Sequence, residues 1–267
     1  METPLIEVSD ISFTYKDSIP VLNNISFEIF EQDFVSVVGK NGSGKSTLIK
    51  IITGIYFNNS GSVRINGKPV NKYTSKELAK KISYLPQSTI LVDENITVRE
   101  LLLNGRYAYK NFFDYNFSEE DHSVVQFCIE LCGLENIADK YIGNLSGGER
   151  QIAFLTLSMV QLDPRSSLSG KILIIDEPLT HLDIHFQVKV LNIVKNLNEN
   201  KALTVITVIH DLALAMNFSK KILLLNFGEL VSFDEPQKAV NNENIKKYFN
   251  IDSGIVNDNG HYYLKLF

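Results

Sequence analysis

One eight-residue loop constrains this chain more than any other feature. Gly39-Lys40-Asn41-Gly42-Ser43-Gly44-Lys45-Ser46 follows an almost unbroken apolar run, Phe34-Val35-Ser36-Val37-Val38, and leads into Leu48, Ile51 and Ile52 at helical spacing before Gly54. The apolar run predicts a strand buried on both faces, and Gly54 predicts a helix stop. A G-x-x-x-x-G-K-[ST] pattern at a strand-to-helix junction is a phosphate cradle. Its glycines take torsions that turn several N–H groups inward, and the helix behind adds its N-terminal N–H groups and dipole. Lys45 would reach the β- and γ-phosphates of a nucleotide, and the Ser46 hydroxyl would ligate Mg2+.

The flanking sequence extends this unit into an α/β fold. Ile6 to Tyr15, Ser26 to Phe30 and Gly61 to Gly67 are short β-rich runs, the last closed by an Asn66-Gly67 turn. From about Thr97 to Leu162 the apolar spacing turns helical, as in Val124, Phe127, Cys128 and Leu131. Strands then return at Ile172 to Ile175, Leu203 to Ile209 and Ile222 to Leu225, with an amphipathic helix from His185 to Leu197. Strands alternating with helices predict a parallel sheet. The expected layout is one domain over 1–250, with a helical subdomain at about 90–162 inserted, and a small appendage over 251–267.

With 44% hydrophobic and 21% charged residues over 267 positions, the chain has a globular balance and can bury a core without staples. No stretch is long and apolar enough to span a bilayer, and Met1 to Asp10 lacks the pattern of a secretory signal. A net charge of −5 offers no basic field for nucleic acid. Cys128 and Cys132, four apart, predict two packing residues on one helix face rather than a zinc site, since His122 is the only other ligand type close by that metal chemistry would favour.

Two more motifs carry chemistry. Ile172-Leu173-Ile174-Ile175-Asp176-Glu177 is an apolar strand ending in two carboxylates. Beside a phosphate loop, such an Asp holds Mg2+, usually through water, and Glu177 is placed to polarise a water for attack on the γ-phosphate. Leu145-Ser146-Gly147-Gly148-Glu149 precedes a helix. Ser146 and Glu149 make a capping box, but the Gly pair is costly in a first helical turn. Bare N–H groups there would admit an anion.

LSGGE between a phosphate loop and an Asp-Glu strand end resembles the signature of ATP-binding cassette ATPases. The remaining family motifs follow in order: Tyr15 as the aromatic that stacks on adenine, Gln87 in YLPQ, Leu182-Asp183 in THLD, and His210 in VIHD as the switch histidine. The resemblance implies a P-loop NTPase of the ABC nucleotide-binding type, α/β, with a mixed β core, an antiparallel β part and an inserted helical subdomain. It implies ATP bound by Tyr15, Gly39, Asn41, Gly42, Ser43, Gly44, Lys45, Ser46, Thr47, Ser146, Gly147, Gly148 and Asp183. It also implies catalysis by Glu177, His210 and Gln87, and Mg2+ at Ser46, Gln87 and Asp176.

Because phosphate loop and signature occur once each, the resemblance implies a homodimer that sandwiches two ATP molecules. It further implies permease subunits in the membrane, indirect work with an extracytoplasmic binding protein, and a place on the cytoplasmic face. Thr97 to Tyr107 and Thr180 to Gln187 resemble the ATPases of iron–siderophore, haem and cobalamin importers, which makes a ferric siderophore the expected cargo. Haem, cobalamin or another cargo are the alternatives, and a non-transport cassette ATPase is a further one. Six aromatics between Tyr107 and Phe117 suit either subdomain packing or a permease docking surface. Two departures from the family stand out. Ile152 and Leu157 replace usual charges after the signature, predicting a helix without salt bridges. The link from Leu162 to Lys171 is long, as in some cobalamin and haem ATPases.

Overall fold

The computed structural model describes residues 3–16, 19–87, 92–111, 116–177 and 184–266. Three strands open the chain: β1 (Ile6–Thr14), β2 (Pro20–Ile29) and β3 (Phe34–Val38). After the glycine-rich loop come α1 (Lys45–Ile52), β4 (Ser60–Ile65) and the two-residue β5 (Lys68–Pro69). Then follow α2 (Ser75–Ala79), β6 (Ile82–Leu85), α3 (Val98–Leu103), α4 (Glu119–Cys132) and α5 (Gly147–Leu162). Next are β7 (Ile172–Asp176), α6 (Ile184–Lys201), β8 (Thr204–Val208), α7 (Leu212–Phe218), β9 (Lys221–Asn226) and β10 (Glu229–Asp234). Short helices α8 (Pro236–Ala239) and α9 (Asn242–Asn244) precede a hairpin of β11 (Ser253–Asp258) and β12 (His261–Leu266). The chain divides into two units, residues 1–72 with 206–267, and residues 73–205.

In the first unit, β2, β1, β4 and β5 form an antiparallel sheet in that order. Ile6 lies opposite Ile29 on one side and Ile65 on the other, so one face of β1 is fully buried. β2 begins at Pro20, six residues before the expected start. Its alternation breaks where Asn24 takes φ +51° and the register against β1 slips, which hides the strand from a period-2 reading. β3 is buried at all five positions and pairs in parallel with β9, while β9 returns antiparallel to β10 through Phe227-Gly228. That environment explains the unbroken apolar run.

In the second unit, β6 and β7 pair in parallel, Ile82 opposite Ile172 and Leu85 opposite Ile175. The helical stretch resolves into separate helices because caps punctuate it. Thr97 with Glu100, Ser118 with Asp121 and Ser146 with Glu149 each complete a reciprocal capping box. α3 and α4 both pack against α5. Cys128 and Cys132 are buried in the α4 face beside Val124, Val125 and Ile129. The Cys132 thiol lies 3.6 Å from the Met159 sulfur, and burial pushes its pKa up to about 11. Both act as small hydrophobes.

A candidate nucleotide site

The phosphate loop belongs to the first unit. Gly39, Gly42 and Gly44 have φ of +152°, +77° and +102°. A Cβ on Gly39 would meet the Leu225 carbonyl oxygen at 2.2 Å, and one on Gly44 would meet Leu22 at 2.7 Å, so both positions need glycine for space and torsion. Gly42, with nothing within 4 Å of its Cβ position, faces open space where a ligand can approach. The Gly228 N–H donates to the Ser43 carbonyl at 3.0 Å, bracing the loop against the β9–β10 turn. Lys45 is 5% exposed and its ammonium donates to the carbonyls of Gly39 and Lys40 at 2.9 and 3.1 Å. The cation is therefore held inside the curl of the loop. The Ser43 hydroxyl is buried with no hydrogen-bond partner among the described residues. An unsatisfied donor beside a buried cation fits a phosphate oxygen, since such a group otherwise costs about 1–3 kcal/mol. Ser46 and Thr47 stand on the first turn of α1, where helix N–H groups and dipole favour the same anion.

Tyr15 adjoins this loop. Its hydroxyl and the Thr47 hydroxyl are 3.0 Å apart, and its ring meets Phe13 edge to face with centroids 4.9 Å apart. Tyr56 stacks on Phe13 and meets Tyr15 at an interplanar angle of 89°. Two neighbours thus fix the plane of a ring that remains 38% exposed, which suits a platform for a nucleobase.

The acidic strand end belongs to the second unit. Asp176 closes β7, is buried, and accepts a hydrogen bond from the Tyr84 hydroxyl at 3.2 Å. Glu177 has φ +52°, a left-handed backbone uncommon for a residue with a side chain. This turn sends its carboxylate to Gln87, whose amide donates to Glu177 Oε2. The structure therefore brings together two of the expected catalytic residues, from the end of β6 and the end of β7. Gln87 and Asp176 fit a hydrated Mg2+ in donor type, a neutral amide oxygen and a buried carboxylate.

The signature opens α5. Ser146 is its N-cap: its hydroxyl donates to Glu149 at 2.7 Å and accepts the Glu149 N–H at 3.3 Å. The Ser146 N–H also donates to that carboxylate, and these bonds hold Glu149 below the usual carboxylate range. The two glycines differ. Nothing lies within 4 Å of a Cβ on Gly147, whereas a Cβ on Gly148 would meet the Phe186 ring at 2.8–3.0 Å. Close packing against Phe186 is thus one reason for glycine at 148, and the sequence carried no signal of it short of Phe186 itself. The expected absence of salt bridges on this helix is corrected. Ile152 is buried as expected of an apolar residue, but Arg150 pairs with Glu94 at 3.4 Å.

His210 lies between β8 and α7, in the first unit. The Ile209 N–H donates to the Val37 carbonyl at 3.3 Å, and Asp211 caps α7 by accepting the Leu214 N–H at 3.0 Å. Asp183 of the THLD motif lies outside the described residues, as do Phe112, Phe113 and Tyr115 of the aromatic stretch. Of the remaining aromatics, Tyr107 is 57% exposed, while Tyr109 stacks on the Arg106 guanidinium at 3.9 Å and donates its hydroxyl to the Gln161 carbonyl at 2.9 Å. Arg106 belongs to the Thr97–Tyr107 segment that carries the subgroup resemblance, but its structural role was not part of that reading. It is buried, bonds Asp121 at 2.8 Å, reaches Asp163 at 3.6 Å, and joins the starts and ends of three elements.

Comparison with known proteins agrees with this geometry. The ABC transporter family profile matches residues 22–180. An ABC transporter ATP-binding protein of Methanocaldococcus jannaschii, itself uncharacterized, is 34% identical over 97% of both chains. The ferric enterobactin transport ATP-binding protein FepC of Escherichia coli is 32% identical over 89% of this chain and 84% of its own. Among solved structures, the dimer of MJ0796, a bacterial ABC transporter cassette, superposes with a TM-score of 0.72 at 28% identity, covering 87% of this chain and 99% of that one. Cassettes of this kind dimerise and work with transmembrane permeases, and among the described residues here no helix is long and apolar enough to cross a membrane. With its phosphate loop, signature and acidic strand end in family order, this chain belongs to the ABC transporter family as one of its ATP-binding, ATP-hydrolysing cassettes.

Proposed function

We propose that this cassette powers import of an iron chelate, a ferric siderophore, from the cytoplasmic face of a membrane. The observation that carries the cargo is the near full-length likeness to a ferric enterobactin transport ATPase. The Thr97–Tyr107 segment, which forms α3 and the turn holding Arg106, points to the same subgroup. The cargo never touches this subunit. It is chosen by a permease and an extracytoplasmic binding protein, and the helical subdomain, about 90–162 in this reading, must match that permease. The exposed Tyr107 and its aromatic neighbours supply the docking surface, since aromatics concentrate in interface cores. Residues 251–267 form a small C-terminal appendage.

Each ATP would lie between two copies of the chain, held by Lys45, Ser46 and the Tyr15 platform of one, and by Ser146 and Gly148 of the other. When bound at Ser46, Gln87 and Asp176, Mg2+ would neutralise phosphate charge. Glu177 takes a proton from a water as its oxygen bonds to the γ-phosphorus and the bridging bond to the β-phosphate breaks. Gln87 holds the Glu177 carboxylate until then, and His210 contacts the γ-phosphate. Loss of that phosphate removes the bridge between the halves and lets them part, and this opening is the mechanical output.

The test is a deletion strain assayed for uptake of a radiolabelled ferric siderophore under iron limitation. Uptake and growth should fall, and excess inorganic iron should restore growth. Normal uptake, with no second copy of the system, would overturn the cargo. A haem or cobalamin importer is the second reading, favoured by the long Leu162–Lys171 link. It predicts instead that labelled haem or cobalamin uptake fails in the same strain.

A further inference from the structure

We propose that Asn217 is a positioning residue for His210, acting by clamping a C-terminal hairpin onto the helix that follows that histidine. The inference rests on the reading of His210 as a γ-phosphate contact. β11 and β12 are joined by Asn259-Gly260, at φ +50° and +88°, the two positive torsions of a tight type I′ turn. Asp258 pairs with His261 next to that turn, and the following pair, Asn257 with Tyr262, is the kind whose backbone groups point away from the partner strand. The Tyr262 N–H and C=O therefore lie on the outer edge of β12. Asn217, on α7, meets both. The Tyr262 N–H donates to Asn217 Oδ1 at 2.9 Å, and Asn217 Nδ2 donates to the Tyr262 carbonyl at 2.8 Å. Nδ2 also donates to the Ala213 carbonyl one turn back, at 2.7 Å. One side-chain amide thus replaces the strand that an exposed sheet edge lacks.

The other edge is treated likewise. By the same alternation the Ile255 N–H points outward from β11, and it donates to Asn242 Oδ1 at 3.0 Å. Gln237 on α8 donates to the Tyr262 hydroxyl. The hairpin is fastened at three points to helices of its own unit, and α7 packs against β12.

His210 sits immediately upstream. On one side the Ile209–Val37 bond fixes the strand end, and on the other Asp211 starts α7. α7 has only seven residues, too few to hold a helix by propensity alone. Its position depends on what it touches: the core through Leu212, Ala215 and Met216, and the hairpin through Asn217. Asn217 is two helical turns, about 10 Å, from His210. Releasing the clamp lets α7 shift and moves the histidine, while the phosphate loop that binds ATP is left alone. The consequence is a loss of kcat with KM for ATP unchanged, the pattern expected when an interaction made only in the transition state is lost.

The experiment compares Asn217→Leu and Asn217→Asp in the full-length cassette, each alone and combined with His210→Ala, by steady-state ATP hydrolysis over a range of ATP concentrations. The aspartate keeps the shape but turns a carboxylate onto the Ala213 and Tyr262 carbonyls, so it tests the clamp even if the leucine disturbs folding. Each variant should lower kcat about tenfold or more, as small misplacements near chemistry do, with KM for ATP changed less than about twofold. In the His210→Ala background neither should add a further loss, because residues acting through one group are not additive. Equal losses in both backgrounds, or unchanged kcat in both variants, would overturn the positioning role while leaving His210 as a phosphate contact. Wild-type turnover in His210→Ala alone would overturn both.

Discussion

Glu177 shows what a residue can and cannot disclose from sequence. Its identity and its place after an apolar strand named it as the candidate base. Its left-handed backbone and its bond to Gln87 emerged only from the fold. A residue held at positive φ carries strain of about 1–3 kcal/mol, which persists where the surroundings or a function demand it. Glu177→Gln keeps the shape and the torsion but cannot accept a proton. The variant should still bind ATP and should lose turnover by about 10²–10⁴-fold, the usual weight of a positioned base. Hydrolysis near the wild-type rate in a phosphate-release assay would remove Glu177 from the mechanism. The phosphate loop was readable because its function lies in local torsions, set by glycines at fixed spacing. Gly148 was not readable, because its neighbour Phe186 is 38 positions away.

At the scale of elements, what the sequence shows well is punctuation. Ser146, three residues before a carboxylate, marks a helix start that the structure keeps, and in the structure Thr97 and Ser118 carry the same mark. The start of β2 was hidden by a bulge, and the tail's Asn259-Gly260 turn is the signal that would have found its hairpin. The ion-pair network was hidden for another reason: a charge network has no period. Arg106, Asp121, Asp163 and Arg165 join the turn after α3, the start of α4 and the end of α5, where Asp163 takes φ +55°. Burial raises the Asp121 and Asp163 pKa values, but bonds from Arg106 and Ser118 to the first, and bonds from Arg165 with the charge of Arg106 on the second, bring both below the ordinary value. Arg106→Leu should cost about 3–5 kcal/mol, since it leaves the buried Asp121 carboxylate without its cation. Urea denaturation measures this. Because the folded-state values are lowered, the wild-type advantage should be complete above about pH 4 and vanish as pH falls through them. An equal gap between the two proteins at pH 3 and pH 7 would show that packing, not charge, carries the effect.

The whole-molecule question is whether the signature acts on its own chain's nucleotide or on a partner's. The structure supplies a clean pair of variants for this. Lys45→Ala empties the phosphate loop of its cation and should weaken ATP binding by about 2–3 kcal/mol, roughly 30- to 150-fold in Kd. For the signature, Gly148 is a poor target, since any side chain there collides with Phe186 of the same chain. Gly147 is the better one. Its Cβ position is open, and a carboxylate in the first turn of α5 agrees with the helix dipole, so Gly147→Asp should fold normally. The same carboxylate repels a phosphate presented to that helix end. Each variant alone should fail to form an ATP-dependent dimer, because every interface would carry a damaged half-site on both sides. Mixed together, they should recover it. A heterodimer pairs the intact phosphate loop of the Gly147→Asp chain with the intact signature of the Lys45→Ala chain, leaving one complete site. Analytical ultracentrifugation of the mixture with ATP reads this directly, with Glu177→Gln added to both chains to stop turnover. If the signature worked within its own chain, no combination would hold both parts intact, and the mixture would remain monomeric.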